Sequence, residues 1–71
     1  MNKYPLLKPE KIIRALSKIG FEYISQKGSH AKYSNRYRTV IIPIHDEIAR
    51  GTLKNILIQA NVELEDFLKL L

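Results

Sequence analysis

The chain has 71 residues, 45% hydrophobic and 27% charged, with no cysteine and a formal net charge of +5. Such a chain reads as one small globular domain over residues 1–71 that buries only about 60% of the surface exposed by its unfolded form, so the free protein is expected to be a monomer or a weak dimer that gains from a partner. The missing cysteine excludes disulfides, thiolate zinc sites and thiol catalysis, while the lack of a bilayer-length apolar run and of a secretory pattern points to a cytoplasmic protein with no membrane role.

Met1 to Lys8 is expected to be short and extended, bracketed by Pro5 and Pro9. Pro9 suits the first turn of a helix, where its missing N–H is not needed. Ile12, Ile13, Leu16 and Ile19 recur at helical spacing with Lys11, Arg14 and Lys18 largely on another side, which predicts an amphipathic helix from Pro9 to Ile19 stopped at Gly20. Phe21 to Gln26 reads as a strand, Gly28-Ser29 as a two-residue hairpin turn, and His30 to Ser34 as the returning strand. Asn35 and Arg36 mark a second turn before a third strand, Tyr37 to Ile44, rich in β-branched residues. Pro43 places that strand at an edge or marks its end. Asp46 to Arg50 is a predicted loop, with Gly51 or Thr52 capping a helix that carries Leu53, Ile56, Leu57 and Ala60 and ends at Asn61. A short last helix, from about Leu64 to Leu71, presents Leu64, Phe67, Leu68 and Leu71, an apolar stripe that completes the core or forms a contact surface, the core being the preferred reading. The fold class is therefore α+β: helix, three antiparallel strands, helix and a short C-terminal helix, with the helices on one sheet face and the other face open.

Strand register divides the side chains. Lys27 opposite His30 puts Ser25 opposite Lys32 and Tyr23 opposite Ser34 on the open face, leaving Ile24, Gln26, Ala31 and Tyr33 for the helix side. With Val40, Ile42 and Ile44 directed to the helices, Ile41 and His45 join His30 on the open side. The charge is as uneven as the pattern: residues 1–43 hold nine Lys/Arg against Glu10 and Glu22, whereas residues 44–71 hold three against five acids. A basic half that contains the hairpin suggests a polyanion as partner.

Lys27, Gly28, Ser29 and His30 place a cation, a turn, a hydroxyl and an imidazole within one hairpin. An imidazole of ordinary pKa near ~6.5 offers a proton acceptor at neutral pH. His45, Asp46 and Glu47 are adjacent, so their side chains diverge, and no metal site is expected there.

Four segments in order carry a resemblance: Leu16 to Phe21, Gln26-Lys27-Gly28-Ser29-His30, Ile42-Pro43-Ile44-His45, and Gly51-Thr52-Leu53 with Ile56-Leu57 and Gln59-Ala60 behind it. Over about Pro9 to Leu71 the chain resembles the HicA family of toxin ribonucleases from bacterial and archaeal toxin–antitoxin modules. The resemblance implies a double-stranded-RNA-binding-domain-like fold, cleavage of messenger RNA without metal or cofactor, and silencing by a HicB-type antitoxin. The family's essential histidine falls on His30, with Gly28 and Ser29 completing its Gly-Ser-His motif. Its strand-end histidine falls on His45, a candidate second acid or base. Ala31 stands where many relatives carry a larger or more polar residue. His30 is thus the expected catalytic base, and Lys27, Gly28, Ser29 and Lys32 the expected RNA- and phosphate-binding residues. Two rival readings are a non-catalytic RNA-binding module of the same fold and an interaction protein whose basic face meets an acidic partner.

Overall fold

The structure is a computed structural model and describes residues 3–71; Met1 and Asn2, part of the predicted extended segment, lie outside the described residues. The elements follow in the order α1 (Pro9–Ser17), β1 (Glu22–Lys27), β2 (His30–Ser34), β3 (Thr39–Pro43), α2 (Arg50–Ala60) and α3 (Leu64–Leu68). The predicted α+β order holds. The strands form one antiparallel sheet in the order β1-β2-β3.

α1 has Pro9 in its first turn and Glu10 beside the positive end of the helix dipole. It buries Pro9, Ile12, Ala15 and Leu16 and closes two residues before the predicted end. Gly20 takes φ +95°, and the Phe21 N–H reaches back to the Leu16 carbonyl at 3.2 Å, a Schellman closure that a residue with a Cβ disfavours. Ile19, assigned by spacing to the apolar stripe, falls in this turn and is exposed. α2 closes similarly, with Asn61 at φ 59° and the Val62 N–H on the Leu57 carbonyl at 3.0 Å.

Two corrections concern α2 and α3. α2 begins at Arg50 behind Ala49, with no side-chain cap, so neither Gly51 nor Thr52 caps it. The start is instead positioned by the chain before it, because the Ile48 N–H bonds the Leu7 carbonyl at 2.7 Å and buried Ile48 anchors the entry. In α3, Phe67 is fully buried, Leu64 packs partly against the core, and Leu68 and Leu71 stay exposed. One short helix has room for one inward stripe, and Phe67 takes it.

Ala31, Val40 and Ile42 alternate inward from β2 and β3 and are buried against Ile12 and Leu16 of α1, Leu53, Ile56 and Leu57 of α2, and Phe67. Among the described residues all helices therefore share one side of the sheet, as expected, and the opposite side carries no layer. Apolar burial at about 25 cal/mol per Å² makes this one-sided core the main stabilising term. The outer edge of β3 is also covered: the Ile41 N–H donates to Gln59 Oε1 at 3.0 Å and Arg38 Nε to the Gln59 carbonyl at 3.1 Å.

The sheet register differs from the expected one at two places. β1 carries a bulge between Tyr23 and Ser25, so Tyr23 faces Tyr33 rather than Ser34, and Glu22 takes the place opposite Ser34. The extra residue, Ile24, is 55% exposed instead of facing the helices. The bulge lets the two tyrosine rings meet edge to face at 5.7 Å, a favourable quadrupole arrangement. The third strand starts at Thr39, not Tyr37, because Asn35 Oδ1 accepts the N–H groups of Tyr37 and Arg38 at 2.8 and 2.6 Å and holds both in the turn.

Candidate functional site

Lys27 and His30 pair across the hairpin, as the Gly-Ser signal predicts. Gly28 has φ +60° while Ser29 keeps a negative φ, the pattern of a turn with only its first central residue left-handed. Nothing lies within 4 Å of a Cβ built on Gly28, so the glycine is there for its backbone and not for space. Gln26 braces the turn from the strand: its Nε2 donates to the Gly28 carbonyl at 3.0 Å. That brace was not foreseen, and its only signal is an amide side chain two residues before the turn glycine.

β2 runs through the middle of the sheet, so His30 has neighbours on both sides. It pairs with Lys27 of β1 and with Pro43 of β3. Lys32, two residues along on the same face, pairs with Ser25 and Ile41. Cross-strand pairs have Cβ atoms about 4.5–5.5 Å apart, so the Lys27 and His30 side chains are immediate neighbours. Lys27, Ser29, His30 and Lys32 are all exposed, and neither row contains an acid. Glu22, the acid of this face, sits opposite Ser34 at the far end. The result is a shallow positive surface with an uncovered imidazole, open to an extended polymer rather than shaped as a pocket for a small molecule.

His45 lies beyond the end of the strand ladder, so strand alternation does not place it. The ladder ends at Pro43, and the Ile44 N–H donates to the Ser29 carbonyl at 2.6 Å, tying the end of β3 to the hairpin turn. The next residue, His45, is exposed in a bend at the same end of the sheet as His30. Ile44 packs partly against the core, in agreement with its expected direction. Among the described residues no three His, Cys, Asp or Glu side chains gather to hold a metal ion, and His45, Asp46 and Glu47 are all exposed.

One phenol near the sheet is perturbed. Burial, helped by the neighbouring Tyr23, raises the pKa of Tyr33 above its ordinary value. Among the described residues no helix is long and apolar enough to cross a membrane.

A family model described as HicA toxin of bacterial toxin-antitoxin matches residues 9–62 of the 71-residue chain. The chain belongs to the HicA toxin family. It is accordingly a toxin of a toxin–antitoxin system, and the match spans α1, the whole sheet and α2, including the Gly28-Ser29-His30 hairpin and His45. Comparison with curated proteins gives no match to this HicA chain.

Proposed function

We propose that this HicA toxin is an endoribonuclease that cuts messenger RNA in the cytoplasm with His30 as general base, without metal or cofactor, and that a HicB-type antitoxin neutralises it. The observation that carries the reading is the exposed imidazole of His30, presented beside Lys27 on an uncovered basic sheet face of a HicA chain. His30 takes the proton of a ribose 2′-hydroxyl, O2′ attacks the adjacent phosphorus, and the bond from phosphorus to the 5′-oxygen breaks. The leaving 5′-oxygen receives a proton from His45 or from water. Lys27, the Ser29 hydroxyl and the turn amides at Gly28 and Ser29 offset the negative charge that builds on the phosphoryl oxygens, and Lys32 holds a neighbouring phosphate. General acid–base transfer of this kind contributes roughly 10²- to 10⁴-fold. DNA lacks the attacking hydroxyl and is inert.

The test is induced expression of the wild type beside His30→Ala, with growth and total messenger RNA followed together. The wild type is expected to arrest growth and deplete messenger RNA, and the variant to do neither. Equal arrest by both removes His30 from the chemistry. A second reading, an RNA-binding module without catalysis, draws on the same basic face, and predicts that the wild type retains RNA without ever degrading it.

A further inference from the structure

At the end of the sheet opposite His30, the β2–β3 turn holds out an aromatic ring that has no structural work. Tyr37 is 83% exposed, more than any other large hydrophobic side chain among the described residues. The turn beneath it is tightly set. Besides the two N–H groups accepted by Asn35 Oδ1, the Ser34 hydroxyl lies 2.7 and 2.9 Å from the Asn35 and Arg38 carbonyls, and the Asn35 N–H bonds the Arg38 carbonyl at 3.0 Å. A loop already ordered to this degree gives up little conformational freedom on binding, which favours contact with a ligand. Arg36, which precedes Tyr37 in the same turn, is exposed, whereas Arg38 is engaged on Gln59.

We propose that Tyr37 and Arg36 form a second contact for the strand cut at His30, the ring stacking on an unpaired nucleobase and the guanidinium holding a phosphate, so that the substrate is single-stranded RNA lying along β2. The inference rests on the ribonuclease reading and adds the substrate's form and length. β2 is five residues long, a span of roughly 15 Å, which an extended strand crosses in a few nucleotides. Lys32 stands on the open face between the two ends and carries the positive charge along the path. Glu22, opposite Ser34 on the β1 side, repels phosphate and keeps the path over β2 and β3. A base within a duplex keeps its faces covered by its neighbours, so only an unpaired base can meet the ring.

The experiment uses the full chain and a labelled octanucleotide with 2′-O-methyl riboses, which lacks the attacking hydroxyl, as a single strand and as a duplex, together with cleavage of an unmodified octanucleotide and dinucleotide. Tyr37→Ala is expected to weaken single-strand binding roughly 5- to 100-fold. Tyr37→Trp is expected to restore it. Octanucleotide cleavage should lose kcat/KM mainly through KM, while dinucleotide cleavage, too short to reach the turn, is unchanged. Unaltered single-strand affinity in Tyr37→Ala, failure of the Trp variant to rescue, or duplex binding as tight as single-strand binding overturns the proposal. An effect of Tyr37→Ala on antitoxin binding alone overturns it as well and makes the turn a protein contact. If the wild type cleaves RNA and Tyr37 has no influence, only the second contact falls; if the wild type neither binds nor cleaves RNA, the ribonuclease reading falls with it.

Discussion

Replacing Gly28 with alanine separates what the hairpin needs from its backbone from what it needs in space. A Cβ at Gly28 meets nothing within 4 Å, and its φ is +60°. The penalty is therefore conformational, about 1–2 kcal/mol for an L-residue held left-handed. It is partly offset by the smaller entropy of the unfolded alanine chain, about 0.4–1 kcal/mol, which leaves a net loss of roughly 1 kcal/mol. Gly51 is the internal control. It lies in the first turn of α2, also with nothing within 4 Å of its Cβ but with no positive φ, so Gly51→Ala should stabilise by about 0.5–1 kcal/mol through helix propensity. For a domain this size 1 kcal/mol moves Tm by roughly 4–8 °C, so thermal melts followed by circular dichroism should show the two variants on opposite sides of the wild type. Total stability of roughly 4–10 kcal/mol leaves Gly28→Ala folded, so any extra loss of RNA cleavage in it reports on the presentation of Lys27 and His30. A Gly28→Ala melt at or above the wild type would show that the turn does not hold this residue left-handed, and the geometry argued for His30 would lose its footing.

Other outcomes follow from particular contacts. Phe67 is fully buried at the junction of α3 and the core, so Phe67→Ala should cost about 3–5 kcal/mol, a large share of the total, and move the urea midpoint far below that of the wild type; a midpoint within error of the wild type would mean that α3 is dispensable. Gln59→Ala removes the acceptor for the Ile41 N–H at the sheet edge, with an expected loss of about 1 kcal/mol and increased aggregation by light scattering at high concentration, since an open edge pairs with other chains; unchanged solubility and stability would show that the edge needs no cover. The Tyr33 phenol has its pKa raised in the folded state by burial and by Tyr23. The folded chain thus keeps a proton that the unfolded chain releases above its ordinary value of about 10, and stability should fall as pH rises beyond that value. Near-ultraviolet phenolate absorbance of Tyr33→Phe, subtracted from the wild type, checks this, and a Tyr33 titration that coincides with that of the unfolded chain contradicts it.

What the sequence made readable was whatever leaves a periodic or a punctuation signal. Helical recurrence of Leu53, Ile56, Leu57 and Ala60 located α2, and Gly28-Ser29 located the hairpin and with it the Lys27–His30 pairing. Pro43 marked the end of the edge strand β3. The bulge at Ile24 left no such signal, because Tyr23 and Ile24 are both apolar and a single inserted residue only becomes visible when the partner strand is known. Tyr37 was drawn into the third strand by the β-branched run behind it, although Asn35 two residues earlier is the residue that folds it out. The start of α2 was beyond reach, since a contact 41 residues away in sequence, Leu7 with Ile48, sets it in place of a local cap. At the site the sequence placed His30, Lys27 and Lys32 on the open face, and it placed His45 there by alternation, whereas His45 comes to that end through the Ile44–Ser29 hydrogen bond.

The most direct measurement of the central claim is the chemistry of the cut ends. Purified wild-type protein, stripped of metal and held in EDTA, is incubated with messenger RNA, and the termini of the fragments are determined. A 2′-hydroxyl activated by His30 leaves 2′,3′-cyclic phosphate on one fragment and a 5′-hydroxyl on the other, and His30→Ala should give neither. Fragments ending in 5′-phosphate, or cleavage that returns only when a divalent cation is added, would contradict the account.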